Sequence, residues 1–99
     1  MNKSKIKMKK IRQFYEEPVA MTWYEAMEKY ENHPKWKFPT RKELIAMHKS
    51  NKDSFESDFY WTSSENRKYN LAWFINSGSG YAAKGGKGYA LRVRVIRAF

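Results

Sequence analysis

The sequence predicts an α+β fold in which two short helices pack on a twisted antiparallel sheet. Two segments open with the same capping box, Thr22-x-x-Glu25 and Thr40-x-x-Glu43, and each continues with apolar residues at helical spacing. Two runs of bulky β-favouring residues follow, Phe59 to Thr62 and Ala72 to Ile75, separated by a polar stretch. Near the carboxy terminus Leu91, Val93 and Val95 alternate with Arg92 and Arg94, the period of a strand with one apolar and one strongly basic face. Helices early and strands late is the order of an α+β domain rather than of alternating βαβ units.

The first helix is expected from Thr22 to about Asn32. A threonine hydroxyl there can accept from the third helical amide while the glutamate reaches back to the cap, and Met21 and Ala26 stand at the staple positions. Trp23, Ala26, Met27 and Tyr30 make one apolar stripe, leaving Glu25, Glu28, Lys29 and Glu31 in water. His33 precedes Pro34 and is pushed out of the α region, which stops the helix. Alternation in Lys35 to Pro39 buries Trp36 and Phe38. The second helix turns Leu44, Met47 and His48 inward, with Ile45 widening the stripe, and ends near Ser50 or Asn51. Asn51 to Asp58 is a polar connection anchored by Phe55.

In the late strands Trp61 and Trp73 are both expected in the core, since a buried aromatic removes about 150 to 250 Å² from water. Truncating Trp73 to alanine should then cost about 3 to 5 kcal/mol. Ser63 to Asn70 supply the turn between the runs, Ser77-Gly78-Ser79-Gly80 a second turn, Tyr81 to Ala83 a short strand, and Gly85-Gly86-Lys87-Gly88 a third turn.

A chain of 99 residues holds one domain with a single modest core, here 41% hydrophobic and 17% aromatic, so a few large rings rather than many leucines must fill it. The absence of cysteine excludes a disulfide framework, a thiolate zinc site and a cysteine nucleophile. The formal charge of +10 is uneven: Lys3, Lys5, Lys7, Lys9, Lys10 and Arg12 all precede the first acid, Glu16. Residues 1–17 therefore read as a basic arm and 18–99 as the domain. Ile6 and Met8 alternate with lysines as an edge strand would, one that could pair with the carboxy-terminal strand. Such an arm suits phosphate or an acidic protein, and equally suits a solvated terminus.

No segment has the apolar run of a signal peptide, and none approaches the ~20 apolar residues of a membrane span. The expectation is an unprocessed chain in the cytoplasm of a host cell, or in a virion. Short length and heavy use of Lys, Asn, Ile and Tyr, as AT-rich coding produces, suggest a phage or mobile element.

Residues suited to catalysis are sparse. His33 and His48 lack a third metal ligand. Ser63, Ser64 and Glu65 lack a nucleophile elbow, and the glycine-rich turns lie between strands rather than before a helix, as a phosphate cradle would require. No catalytic residue, metal or cofactor is expected. Tyr69, Tyr81 and Tyr89 each sit beside a polar turn. With Arg67, Lys68, Lys84 and Lys87, and with Arg92 and Arg94 on the basic strand face, they predict a partner-binding surface. Rings and cations together suit an acidic patch on a protein and also a nucleic-acid strand. A homo-oligomer is also open, through pairing of the arm with a neighbour's sheet edge.

The motifs TWYEAMEKY (Thr22 to Tyr30), WKFPTRKEL (Trp36 to Leu44), FYWTSSE (Phe59 to Glu65), LAWFINSGSG (Leu71 to Gly80) and RVRVIR (Arg92 to Arg97) recur in one order and spacing in a known family. The sequence resembles the Lcl carboxy-terminal family, small C-type-lectin-like domains related to the formylglycine-generating sulfatase-modifying fold. In that family the second motif usually reads W-R-L-P-T-x-x-E-L, the third Y-W-S-S-T-E or Y-W-T-S-S-E, and the last ends in V-R-x-V-R. The resemblance covers Met21 to Arg97 and leaves the arm outside. It implies a C-type-lectin-like fold, but the chain departs wherever the relatives carry chemistry. The cysteines of the sulfatase-modifying proteins are missing, as are the Glu-Pro-Asn or Gln-Pro-Asp loop and the Trp-Asn-Asp that hold calcium in sugar-binding lectins. Glu17-Pro18-Val19 lies before the first helix and lacks the amide ligand. The resemblance therefore implies a non-enzymatic binding module, most simply one for protein interaction or particle assembly. A calcium-free adhesin would need export, for which the amino terminus offers no segment.

Overall fold

Both helices begin at their capping boxes. In the computed structural model, which describes residues 13–97, α1 spans Trp23–Tyr30 and α2 spans Arg41–Ser50. At each start the glutamate amide donates to the threonine hydroxyl and the threonine amide donates to the glutamate carboxylate, over 2.8 to 3.2 Å. Two of the donors that a helix start leaves unpaired are satisfied each time. α1 buries Trp23, Ala26 and Tyr30, and α2 buries Leu44, Met47 and His48.

The strands form two antiparallel three-stranded sheets where one was expected. The first has the order β1 (Phe14–Glu16), β6 (Arg94–Arg97), β2 (Trp36–Lys37); the second runs β3 (Phe59–Asn66), β4 (Leu71–Asn76), β5 (Tyr81–Gly86). The carboxy-terminal run divides them because it serves both. Leu91 bridges Met21 and Arg92 bridges Tyr60 beside β3 before the chain enters β6. An amino-terminal strand does pair with the carboxy-terminal one, in the register Phe14↔Ile96, Tyr15↔Val95 and Glu16↔Arg94. The sheet therefore begins within the segment that charge assigns to the arm. Ile6, Met8 and the arm cations Lys3, Lys5, Lys7, Lys9, Lys10 and Arg12 lie outside the described residues.

Two strands are longer than their apolar runs. β3 continues through Ser63 to Asn66 past an irregularity between Trp61 and Glu65, because Thr62 Oγ1 donates to Trp73 O at 2.8 Å and Ser63 N to Pro39 O at 2.8 Å. The turn is only Arg67 to Asn70, closed by Asn70 at φ 56°. β5 takes in Gly85 and Gly86, which were expected in a turn; the ring of Phe74 fills the space beside Gly85, where an added Cβ would stand 2.9 Å from Cε2. Gly80, at φ +82°, makes the turn before β5 with backbone that favours glycine.

Two apolar clusters lie on opposite sides of the second sheet, as the alternation of Tyr60 and Trp61 requires. Trp61 and Ala72 pack with Trp23, Ala26, Tyr30, Phe38, Val93 and Val95, while Tyr60 and Ile75 pack with Leu44 and Met47 of α2. Trp73 is a correction: it is half-buried, and of the two indoles only Trp61 is wholly enclosed. Trp36 is likewise half-buried beside a buried Phe38.

One buried acid ties α1 to the segment before it. Glu17 accepts from the Tyr30 hydroxyl and pairs with Lys29 Nζ at 2.7 Å. Burial alone would raise the Glu17 carboxyl, but Lys29 and Tyr30 outweigh it and hold the group below its ordinary value. Burial, then the Glu17 carboxylate, pushes Tyr30 well above its usual 10. A lowered carboxyl stabilises the fold above its unfolded pKa and loses that contribution as pH falls through the folded value. A raised phenol stabilises it below its unfolded pKa and loses that as pH rises through its own folded value. Thermal melts from about pH 3 to about pH 11 should show Tm falling at both ends, with Tyr30→Phe flattening the alkaline fall and Glu17→Gln the acid one. Unchanged limbs in both variants would refute this.

Candidate functional site

On the α2 side of the second sheet, the helix does not reach the end where β3 turns into β4. Beyond its first residue the sheet presents Trp73 and Lys84, which face each other across β4 and β5. Arg41 opens α2 beside them, anchored by its backbone N–H on Ser64 Oγ at 2.9 Å. The Arg41 guanidinium carbon lies 4.0 Å from the Trp73 ring centroid and Lys84 Nζ lies 5.1 Å from it. An indole draws cations to its faces electrostatically, which lets two of them share one ring. Among the described residues neither Arg41 nor Lys84 has a carboxylate partner within ion-pair distance.

The strip continues toward the turn. Leu71 pairs with Gly86, and the ring of Tyr89 lies where a side chain on Gly86 would project, 3.4 Å from that point. At the tip Lys68 Nζ is 5.3 Å from the Tyr69 ring, and Arg67 reaches back to Glu65 at 3.3 Å while staying exposed. Tyr69 and Tyr89 are 62% and 71% exposed, which leaves both rings open to a ligand. Strands fix the middle of this face and turns its rim, the arrangement in which loops on a rigid sheet carry recognition.

Of the residues expected at a partner surface, Arg67, Lys68, Tyr69, Lys84 and Tyr89 gather at this end. Tyr81 does not: it pairs with Asn76 at the opposite end of the sheet, on the other face. Three of the cations expected to face outward are engaged within the fold. Lys87 is buried, with Nζ 2.7 Å from Glu65 and 3.1 Å from Asn70 Oδ1, over the Trp23 ring. Arg92 bonds Asp58 at 2.9 Å and Glu16 at 3.2 Å. Arg94 is fully enclosed and bonded to Glu16 at 2.7 Å. The strand face expected to be open and basic is closed because β1 lays Glu16 directly opposite Arg94.

The histidines have local tasks. His33 Nδ1 accepts from the amides of Lys35 and Trp36, and His48 Nε2 sits 2.7 Å from the Ser77 carbonyl. Among the described residues no group of three or more His, Asp or Glu could hold a metal ion, and no helix is long and apolar enough to cross a membrane. Sequence reasoning missed Arg41, and it assigned Trp73 to the interior. The chain matches no protein-family model and none of the curated proteins with which it was compared.

Proposed function

We propose that this chain is a non-enzymatic binding module of C-type-lectin-like architecture, whose cationic and aromatic face takes an acidic surface of another protein in a host cytoplasm or a particle. Two capped helices ahead of an antiparallel meander support the architecture, together with the motifs that resemble the Lcl carboxy-terminal family. The observation that carries the binding is the pair Arg41 and Lys84 on Trp73, two cations on an aromatic platform with no carboxylate in ion-pair reach among the described residues. A carboxylate entering there would gain charge-assisted hydrogen bonds from a guanidinium already oriented by stacking. Around it Tyr69, Tyr89 and Leu71 supply apolar and amphipathic area of the kind enriched at interface cores.

A nucleic-acid strand is the second reading, favoured by the same cations and by rings on which bases stack. The internal bonding of Arg92 and Arg94 withdraws two phosphate contacts from it, which is why the protein reading leads. The experiment is capture of partners by the full chain and by the Arg41→Ala/Lys84→Ala double variant, with and without nuclease. The protein reading expects a nuclease-resistant partner whose binding the double variant weakens by about tenfold or more, equivalent to about 1.4 kcal/mol. Equal capture by the double variant would overturn the site. Binding that nuclease abolishes, with a log-log salt slope near about −4 to −5 on duplex DNA, would favour the nucleic acid.

A further inference from the structure

We propose that two copies of this chain associate through β5, antiparallel about Ala83, so that their second sheets join into one. Among the described residues, β5 is the uncovered edge of that sheet. β3 is already flanked by the 91–92 segment, with Trp61 N donating to Arg92 O at 2.9 Å and Arg92 N to Phe59 O at 3.1 Å. Among the described residues no strand pairs with the outer side of β5. Exposed edges are normally blunted by proline, a bulge or an inward charge. β5 has no proline, and its register with β4 runs unbroken from Leu71↔Gly86 to Asn76↔Tyr81. Its one charge, Lys84, is drawn over Trp73.

The strand is complementary to itself in the register centred on Ala83. A two-fold axis through a continuous antiparallel sheet keeps each face on its own side, so a residue can meet only residues of its own parity in the other copy. Centring on Lys84 would set two ammonium groups opposite each other, a destabilising pair. Centring on Ala83 avoids this, placing Lys84 against Ala82 and the Tyr81 ring over Gly85 of the other copy. Gly85 has no side chain to obstruct the ring, and Phe74 borders it. Phe74 already stands 5.4 Å from Phe59 and 5.9 Å from Trp61, both edge-on, so a second Tyr81 would extend an existing aromatic row. Tyr81 is 78% exposed in the single chain and gains the most from this arrangement.

The row lies on the face away from α2, so dimerisation leaves Arg41 and Trp73 outside the interface, sets only the small Ala82 of the other copy beside Lys84, and does not depend on the proposed acidic partner. The interface is small, below about 1,200 Å², which places it among weak and reversible associations. Each copy carries a formal +10, so added salt should tighten the dimer by screening repulsion. The acidic partner should respond in the opposite sense.

The test is sedimentation equilibrium of the full chain up to about 1 mM, beside Ala83→Lys and Ala83→Glu. Ala83 is exposed and would meet itself across the axis, so each variant sets like charges opposite. Wild type is expected to dimerise more tightly in higher salt, each variant alone to dimerise at least about tenfold more weakly, and an equal mixture of the two to recover the dimer. The mixture also controls for folding, since misfolded variants could not recover. A wild type that stays monomeric throughout would overturn the proposal. Undiminished dimers of either variant would remove β5 from the interface, and a mixture no tighter than its components would refute the register.

Discussion

Trp61→Ala is expected to cost about 3 to 5 kcal/mol and to abolish the cooperative melt, whereas Trp73→Ala should cost no more than about 1.5 kcal/mol. Trp61 has no exposed surface, and it joins the cluster of Trp23, Phe38, Val93 and Val95 to the sheet. Its indole N–H is shared between Met21 O at 3.1 Å and Tyr89 O at 3.2 Å. Truncation would open a cavity the size of an indole and leave both carbonyls without that donor. The segments before α1 and before β6 would then lose the side chain that ties them to β3. A domain of this length has only about 5 to 10 kcal/mol to lose. Trp73 instead stands half-buried with one face against Arg41, so its removal exposes surface that is already partly wet. Urea titration of both variants separates the two sites. Equal losses would mean that Trp73 is a core residue after all.

This contrast marks where the sequence is legible. The capping boxes at Thr22 and Thr40, the inward stripes and the late hairpin are local features, set by hydrogen bonds and periodicities spanning three to eight residues. They appear where the sequence places them. Trp73 was misread because strand alternation says that successive side chains part, not which side the helices will cover. Its parity matches Ile75, under α2, but α2 begins only beside it and covers it with no more than the Arg41 side chain. Arg41 carried no signal beyond standing one residue past a cap. Arg94 was misread for the same reason in reverse: alternation with Val93 and Val95 looks like a solvated face until β1 arrives from far away in sequence with an acid. The splitting of the sheet likewise depends on long-range bridges at Leu91 and Arg92 that no local pattern announces.

The enclosed arginine yields the second large effect. Glu16→Ala is expected to cost about 3 to 5 kcal/mol, while the double change Glu16→Leu/Arg94→Met should lie much closer to wild type. Arg94 spends every N–H it has. Nε and one Nη2 hydrogen bond Glu16 Oε1 at 3.2 and 2.7 Å, the other Nη2 hydrogen reaches Ser54 O at 2.7 Å, and Nη1 meets Ser54 Oγ at 2.8 Å and Met47 Sδ at 3.9 Å. The guanidinium is stacked between Phe14 at 4.0 Å and Phe55 at 3.8 Å. Removing the carboxylate leaves a charge among rings with only neutral acceptors, and an arginine cannot lose its proton to escape the cost. It also takes away the acceptor of the Tyr60 hydroxyl, 3.1 Å from Glu16 Oε2, which keeps only the Glu56 amide donating to it at 3.1 Å. The apolar pair deletes charge and counter-charge together, and a thioether of similar reach can lie between the same rings. A double-mutant cycle in urea measures the difference. If Glu16→Ala proves mild, the network does not hold β1 to β6, and the first sheet must owe its cohesion to Val95 and Ile96 instead.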